Sequence, residues 1–476
     1  MSDIVVREWR LYIDDMIAFI HRIEFRKRKT RNPLGSGMMA PVGFDPVSRK
    51  RTIPMIRLAA AAFLASLIVL VGFSRADDTP DADLEAKALK LNSLRDLPAM
   101  NKQLVAIMKD KVEAKKLLDA AVKLHKAGGA GKSPFKYNAG LVLGKVARNL
   151  RDNKSAEIFY EVAFDNAVKL QSDEKILNAV DSLVEVLWLN KKYDKAEEAI
   201  KKVLDVGGKE IEDSQVGLSI LLAKTKAKQG DADAALNMID SLGNLDKEGT
   251  TFLRIKAEML AELGKNEEAV ATMQEVVDKT GKNRKIPKED RVKLVRRLEY
   301  QLTAFYVDAK QIDKATEILE RLIKFEPEVA TYYNDLGFIL ADNDQRLDES
   351  EKLVRKALEL DGDERKKLFD DGKITEAESE KENSSYVDSL GWVLYKRGKY
   401  DEARKYLLKA SKDENQGAHL EIWDHLADCL MKLNKKDEAL KVWTEALTFD
   451  DESRRDIERR KKVEAKVKAL KAELKK

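Results

Sequence analysis

The 476-residue sequence is first constrained by what it lacks. It has one cysteine, Cys429, which excludes a disulfide framework within the chain and any cysteine-rich zinc site. Proline (9) and glycine (23) are too scarce for a low-complexity disordered chain. No G-x-S-x-G elbow, H-E-x-x-H pair or carboxylate-dyad motif occurs, so no local signature of catalysis is present. The four histidines are His21, His125, His419 and His425. His419 and His425 lie six apart, whereas metal-binding helices of the zinc proteases space two histidines by four, so both read as solvent-facing helix residues. What remains is a chain that is 36% charged and 43% apolar, rich in Ala, Leu, Lys and Glu, which points to helices with buried cores.

Charge is nearly balanced at +4, but its distribution is uneven. Residues 1–54 and 451–476 each carry +5 and residues 55–76 carry +2, which leaves −8 on residues 77–450. The basic tail lacks interleaved aromatics, so no nucleic-acid partner is expected and a charged terminal cap is the reading.

One long uncharged run exists, Leu58–Phe73, preceded by Arg57 and followed by Ser74-Arg75-Ala76. A basic stretch, an apolar stretch and small residues before a cut after Ala76 define an export signal at 55–76. At ~1.5 Å per residue the run spans about 24 Å, short of a ~30 Å hydrocarbon core, which favours cleavage over a permanent anchor. If it were retained, the upstream Lys/Arg bias would leave residues 77–476 outside the cytoplasm, with membrane association through Leu58–Phe73. Residues 1–54 read either as an upstream start or as a cytoplasmic extension, with Arg26-Lys27-Arg28-Lys29 suited to anionic lipid.

The rest of the chain repeats. Leu390, Gly391 and Leu394 precede Ala403, Leu407 and Ala410; Trp423, Leu426, Ala427 and Leu430 precede Ala439, Trp443 and Ala446; Leu336 and Gly337 precede Ser350, Val354 and Ala357. Upstream, Gly144 pairs with Ala156, and Ala196, Ala235, Ala269 and Ala315 hold the same small-residue position. From Ala156 to Ala439 the steps are 40, 39, 34, 46, 35, 53 and 36 residues. The two longest steps contain charged insertions, Lys279–Lys293 and Asp361–Asn383, expected as loops outside the helix packing.

This pattern resembles the tetratricopeptide repeat (TPR) signature, W-x2-L-G-x2-Y, then A-x3-F, then P, near a 34-residue period. The resemblance covers about 140–450 and implies an all-α solenoid of about eight antiparallel helix pairs in a right-handed superhelix, whose concave face binds protein segments. It implies an array over 137–450, a helical cap or linker over 77–136, and a basic capping helix over 451–476. Gly144, Gly337, Gly391 and Ala427, with Ala196, Ala235, Ala269, Ala315, Ala403 and Ala439, are the expected close-packing positions of the helix pairs. The helix-A stripe that lines the groove in that family falls here on Asn334, Phe338, Asp388, Trp392, Tyr395, Asp424 and Asp428, with Leu141, Lys145, Arg148, Asp181, Glu185 and Trp188 upstream. Successive members lie three or four residues apart on each helix and so share a face. Exposed aromatics beside hydrogen-bonding groups suit peptide capture; packing between adjacent helices is the alternative. Lys and Arg are absent from the downstream stripe, so a basic or aromatic segment fits it better than an acidic tail.

Gly128-Gly129-Ala130-Gly131-Lys132-Ser133 looks like a phosphate loop, but Lys126 holds the leading-glycine position and the stretch follows a helical pattern, so it reads as a linker. Cys429 reads as a small buried thiol. The resulting expectation is a non-enzymatic, exported scaffold without cofactor or metal that binds protein segments, with a membrane-tethered assembly factor or co-chaperone as the alternative.

Overall fold

The computed structural model describes residues 80–129, 132–245, 249–413, 417–450 and 453–475. The leader 1–54, the segment 55–76 and its run Leu58–Phe73 lie outside the described residues, as do Ala130 and Gly131 of the glycine-rich stretch. The described residues form helices and turns, with no strand among them.

Of three leading helices, α1 (Pro80–Lys90), α2 (Leu97–Met108) and α3 (Lys111–Ala127), the second and third pack on the first pair of the array, and α1 packs on α3. Eight helix pairs follow. They are α4 (Tyr137–Asn149) with α5 (Asn153–Lys169), then α6 (Asp173–Leu189) with α7 (Tyr193–Val206). After the short α8 (Lys209–Asp213) come α9 (Gln215–Gln229) with α10 (Ala232–Gly243), and α11 (Thr251–Glu262) with α12 (Asn266–Lys282). Next are α13 (Lys288–Asp308) with α14 (Ile312–Phe325), and α15 (Ala330–Asp342) with α16 (Leu347–Asp370). The short α17 (Glu376–Ser379) precedes α18 (Ser384–Lys396) with α19 (Tyr400–Ser411), and α20 (Leu420–Lys432) with α21 (Lys436–Ala446). A last helix, α22 (Arg454–Glu473), ends the chain.

One local device sets the register of every pair. Each turn between the two helices has a left-handed residue at the same place: Arg151, Lys191, Gly230, Gly264, Lys310, Asp344, Gly398 and Asn434, with φ from 56° to 88°; the turn before α16 has a second, Arg346. The next N–H then reaches back to the carbonyl five residues earlier, from Asp152 to Ala147 at 2.9 Å in the first pair to Lys435 to Leu430 at 2.9 Å in the last. That bond closes the first helix in a Schellman turn. Four residues on stands the small residue of the second helix, and Ala156, Ala196, Ala235, Ala269, Ala315, Ala403 and Ala439 are all fully buried there. The turn geometry thus delivers a methyl group, and nothing larger, to the crossing point.

In most pairs the first helix meets that point with its own small residue, such as Gly144, Gly337, Gly391 or Ala427. A Cβ on Gly144 would stand 2.4 Å from the Tyr160 ring, and one on Gly391 would stand 2.6 Å from Leu407 Cγ. Large neighbours fill the holes alongside: Leu394, Leu407 and Trp443 are buried.

Both charged insertions differ from the loops expected of them. Only residues 283–287 separate α12 from α13, and α16 continues as helix through residue 370. Their Lys, Glu and Arg content favours helix wherever nothing opposes it, and the Arg365–Asp361 pair at 2.9 Å supports α16 one turn apart. Leu360 is the last buried residue of α16, so its charged end projects beyond the packing as helix rather than loop.

The stack curves until its ends meet. Asp450, just beyond α21, accepts from Arg148 at 2.8 Å and from Asn153 at 2.5 Å, both in the first pair. Arg151 lies 4.6 Å over the Phe449 ring. The Asp450 contacts join residues 297 and 302 positions apart.

Candidate binding groove

The groove residues expected from the sequence sit on α15, α18 and α20, the first helices of the last three pairs. The structure brings most of them into one network, but a buried one. Asn334, Asp388, Trp392 and Asp424 are buried, and Phe338, Tyr395 and Asp428 are half-buried. The expectation of exposed aromatics is therefore corrected. Their rings pack on one another because the first helices of three successive pairs present them at the same height.

That ring stack has a centre the sequence reading missed. His425, read as solvent-facing, is 1% exposed. Its ring stacks on Trp392 at 4.1 Å, Trp392 stacks on Tyr395 at 4.8 Å, and Phe338 lies 6.1 Å from His425 on the other side. His425 Nδ1 meets Asp388 Oδ2 at 3.0 Å. Burial works against a charged imidazole here, but the Asp388 carboxylate outweighs it and holds the His425 pKa above its ordinary value. Burial, with Asp428 adding to it, pushes the Tyr395 hydroxyl up to about 12. The signal for His425 was register. Asp335 and His425 each stand one residue before the packing leucines Leu336 and Leu426. Both face the preceding first helix, where Asp335 accepts from Tyr300 at 2.6 Å and His425 meets Asp388.

The polar members have donors too. Asn334 donates to Asp335 at 3.1 Å, and Trp392 Nε1 donates to Asp342 at 3.1 Å. Asp424 accepts from Trp443 Nε1 at 2.9 Å and from Lys466 at 2.7 Å, and Asp428 accepts from the same Lys466 at 2.7 Å. Lys466 belongs to α22, so the groove already holds a segment of its own chain. Val463, Val467 and Leu470 on α22 join the apolar cluster of Trp443 and Ala446, as a terminal cap would. Of the basic residues of α22, expected to solvate the end of the array, Lys461, Lys462, Lys468 and Lys471 are exposed, whereas others reach the neighbouring helices. Arg454 donates to Ala261 O at 3.3 Å, Arg455 donates to Asp308 at 2.7 Å, and Arg459 donates to Glu421 and Asp424.

The upstream stripe divides. Leu141 belongs to the core, Trp188 donates to Thr225 at 3.2 Å, and Arg148 is held by Asp450. Asp181 and Glu185 remain exposed. The walls around Asp181 still withdraw enough water, with Glu185 nearby, to push its carboxyl up to about 6. Cys429 is buried against Tyr400 O at 3.3 Å, and burial pushes its thiol up to about 11. His419 caps α20, its ring accepting from the Glu421 N–H at 3.3 Å. No cluster of metal-ligating side chains and no membrane-spanning helix occurs among the described residues.

Comparison with known proteins agrees with this architecture. Residues 220–284 match the family model described as tetratricopeptide repeat, and residues 346–446 match the model for anaphase-promoting complex, cyclosome, subunit 3. TPR repeat-containing protein PA4667 of Pseudomonas aeruginosa is 31% identical over 116 residues, which are 24% of this chain and 16% of that protein. The chain thus spans about one-sixth of the length of the curated relative it matches. Similar solved structures include a tetratricopeptide repeat protein from Parabacteroides merdae (13% identity, 63% of this chain and 98% of that one, TM-score 0.39). MamA residues 41 to end from Desulfovibrio magneticus is another (20% identity, 41% and 92%, TM-score 0.28). With eight helix pairs among the described residues and the tetratricopeptide-repeat model matched at 220–284, the fold is an all-α solenoid of the tetratricopeptide-repeat kind.

Proposed function

We propose that this solenoid is a non-enzymatic scaffold of the cell envelope that holds protein segments along the inner face of its helix pairs. One observation carries the reading: the inner face already holds a helical segment, α22, through aligned carboxylates on α20. Repeat solenoids bind in this way because a preformed concave surface loses little freedom when it is filled. The exposed Asp181 and Glu185 extend the same face toward the amino end. Export through the 55–76 segment supports the location, either with cleavage after Ala76 or with the apolar run retained as an anchor.

A photo-crosslinking residue placed at Asp181 of the full chain, and in a second sample at the exposed Glu198 on α7, tests the binding face. Adducts with envelope proteins formed from position 181 and not from 198 are the expected result; equal adducts from both would end the inner-face reading. Sequencing the mature amino terminus tests the location. A start at Asp77 means a cleaved leader, whereas an intact leader in membrane fractions means a tethered assembly factor.

A further inference from the structure

The two halves of α22 are held differently. Every buried side chain of the helix, Val463, Val467 and Leu470, lies from its midpoint onward. The first two turns carry no fully buried residue, and polar contacts hold them, those of Arg459 among them.

Arg459 enters a chamber built by three consecutive inner helices. Its guanidinium donates to Glu421 and, at 3.4 Å, to Asp424 on α20. The carboxylates of Asp342 at the end of α15 and Asp388 on α18 also stabilise its charge. Against these four acids the facing cations are Arg459 itself, Lys466 shared with Asp428, and His425 paired with Asp388. Burial tends to raise the Glu421 carboxyl, but Arg459 outweighs it and holds the group well below its ordinary range. His425 Nε2, buried in the same network, has no hydrogen-bond partner among the described residues. A planar cation with several donors matches this set of acceptors better than an ammonium, because a guanidinium bonds two carboxylates at once in a fixed plane.

From this arrangement, and resting on the groove reading above, we propose that the chamber of Asp342, Asp388, Glu421 and Asp424 is an arginine-binding subsite for a basic helical segment of a partner protein. Arg459 is its resident occupant. The exchange replaces one guanidinium with another and leaves the Val463–Leu470 stretch of α22 docked, so the carboxylates never stand empty and buried. The tether gives Arg459 a high effective concentration at the chamber, so the unmodified chain takes up an external arginine weakly.

The test uses the full chain and a fluorescent alanine-rich helical peptide with arginines at i, i+1 and i+5, the spacing of Arg454, Arg455 and Arg459, together with its lysine counterpart. Arg459→Ala should bind the arginine peptide at least tenfold more tightly than the unmodified chain and prefer it to the lysine peptide. Arg459→Lys, which keeps a cation in the chamber and guards against misfolding, should fall between. Adding Glu421→Gln to Arg459→Ala should remove the gain. Equal binding by the unmodified chain and Arg459→Ala, or a gain that survives Glu421→Gln, would overturn the subsite. Crosslinks from position 181 without peptide binding would leave the scaffold standing and refute the subsite alone. Peptide binding without those crosslinks would do the reverse.

Discussion

Three glycines within two adjacent pairs separate steric crowding from backbone strain. A Cβ on Gly337 would stand 2.6 Å from Val354 Cγ2 and 2.9 Å from the Ser350 carbonyl oxygen. The side chain can turn away, but the carbonyl belongs to the first turn of α16 and cannot. Gly337→Ala therefore forces α15 and α16 apart, at about 1–3 kcal/mol of overpacking, from which the helix preference for alanine returns about 1 kcal/mol. The net expectation is a loss of up to about 2 kcal/mol. Gly362, on the projecting part of α16, has nothing within 4 Å, so Gly362→Ala should gain about 0.5–1 kcal/mol from the same preference. Gly398 also has open space, but its φ is +77°, so Gly398→Ala should lose about 1 kcal/mol by strain alone. Because repeat arrays need not unfold in one step, urea titration should be joined to hydrogen exchange read on α15 and α16. If Gly337→Ala protects those helices as well as Gly362→Ala does, the close-packing account of the crossing point is wrong.

Three further outcomes follow from the groove. Trp443→Phe removes the 2.9 Å donor to buried Asp424 and should cost about 1–3 kcal/mol by denaturant titration; an unchanged midpoint would mean that Lys466 and Arg459 suffice. His425, with Asp388, Glu421 and Arg459 as its charged neighbours, has a raised pKa, so its stabilising charge is fully present below about pH 6.5 and lost as pH rises through the folded value. Melting temperature should therefore fall over that rise in the unmodified chain and not in His425→Asn. Cys429, buried with its thiol pushed up to about 11, should resist a thiol reagent at pH 8 until the array unfolds; fast labelling of the native chain would contradict its packing against Tyr400.

The repeat was legible because its physics is local. A small residue at the crossing and large residues around it recur at each pair, and Gly337, Gly391, Ala403 and Ala439 take those places. A sharper local signal went unread: the left-handed turn residue stands five before the helix-B alanine in seven of the eight pairs, and glycine fills it at 230, 264 and 398. The groove was only half legible. Helix register put Asn334, Asp388 and Asp424 in one column, but could not tell that His425, one position along, faces Asp388 rather than solvent. Neither could the pattern reveal what enters the groove. Contact of Arg455 with Asp308, or of Asp450 with Arg148, depends on curvature accumulated over several pairs. No window of a few turns contains that information.

That accumulated curvature also decides where the array is weakest. Within the stack, each pair buries branched and aromatic side chains against the next, worth about 1.5–3 kcal/mol for each one fully withdrawn from water. Across the seam where the ends meet, the contacts are of another kind: Arg148 with Asp450, Asn153 with Asp450, and Arg151 over Phe449 and to Ala418 O at 3.3 Å. Arg148 and Asp450 keep about a fifth of their side-chain surface exposed, so this pair gains less than a dry one and more than a solvated one. The first turns of α22 continue the same polar seam along α11 and α13. Closure is therefore built from exchangeable hydrogen bonds laid over a stack built from apolar burial. A partner that offers equivalent donors meets the seam as a competitor of equal chemistry, while the helix pairs beneath it stay packed. The groove is best understood through that separation: the stack holds its shape, and the polar strap decides when the shape is accessible.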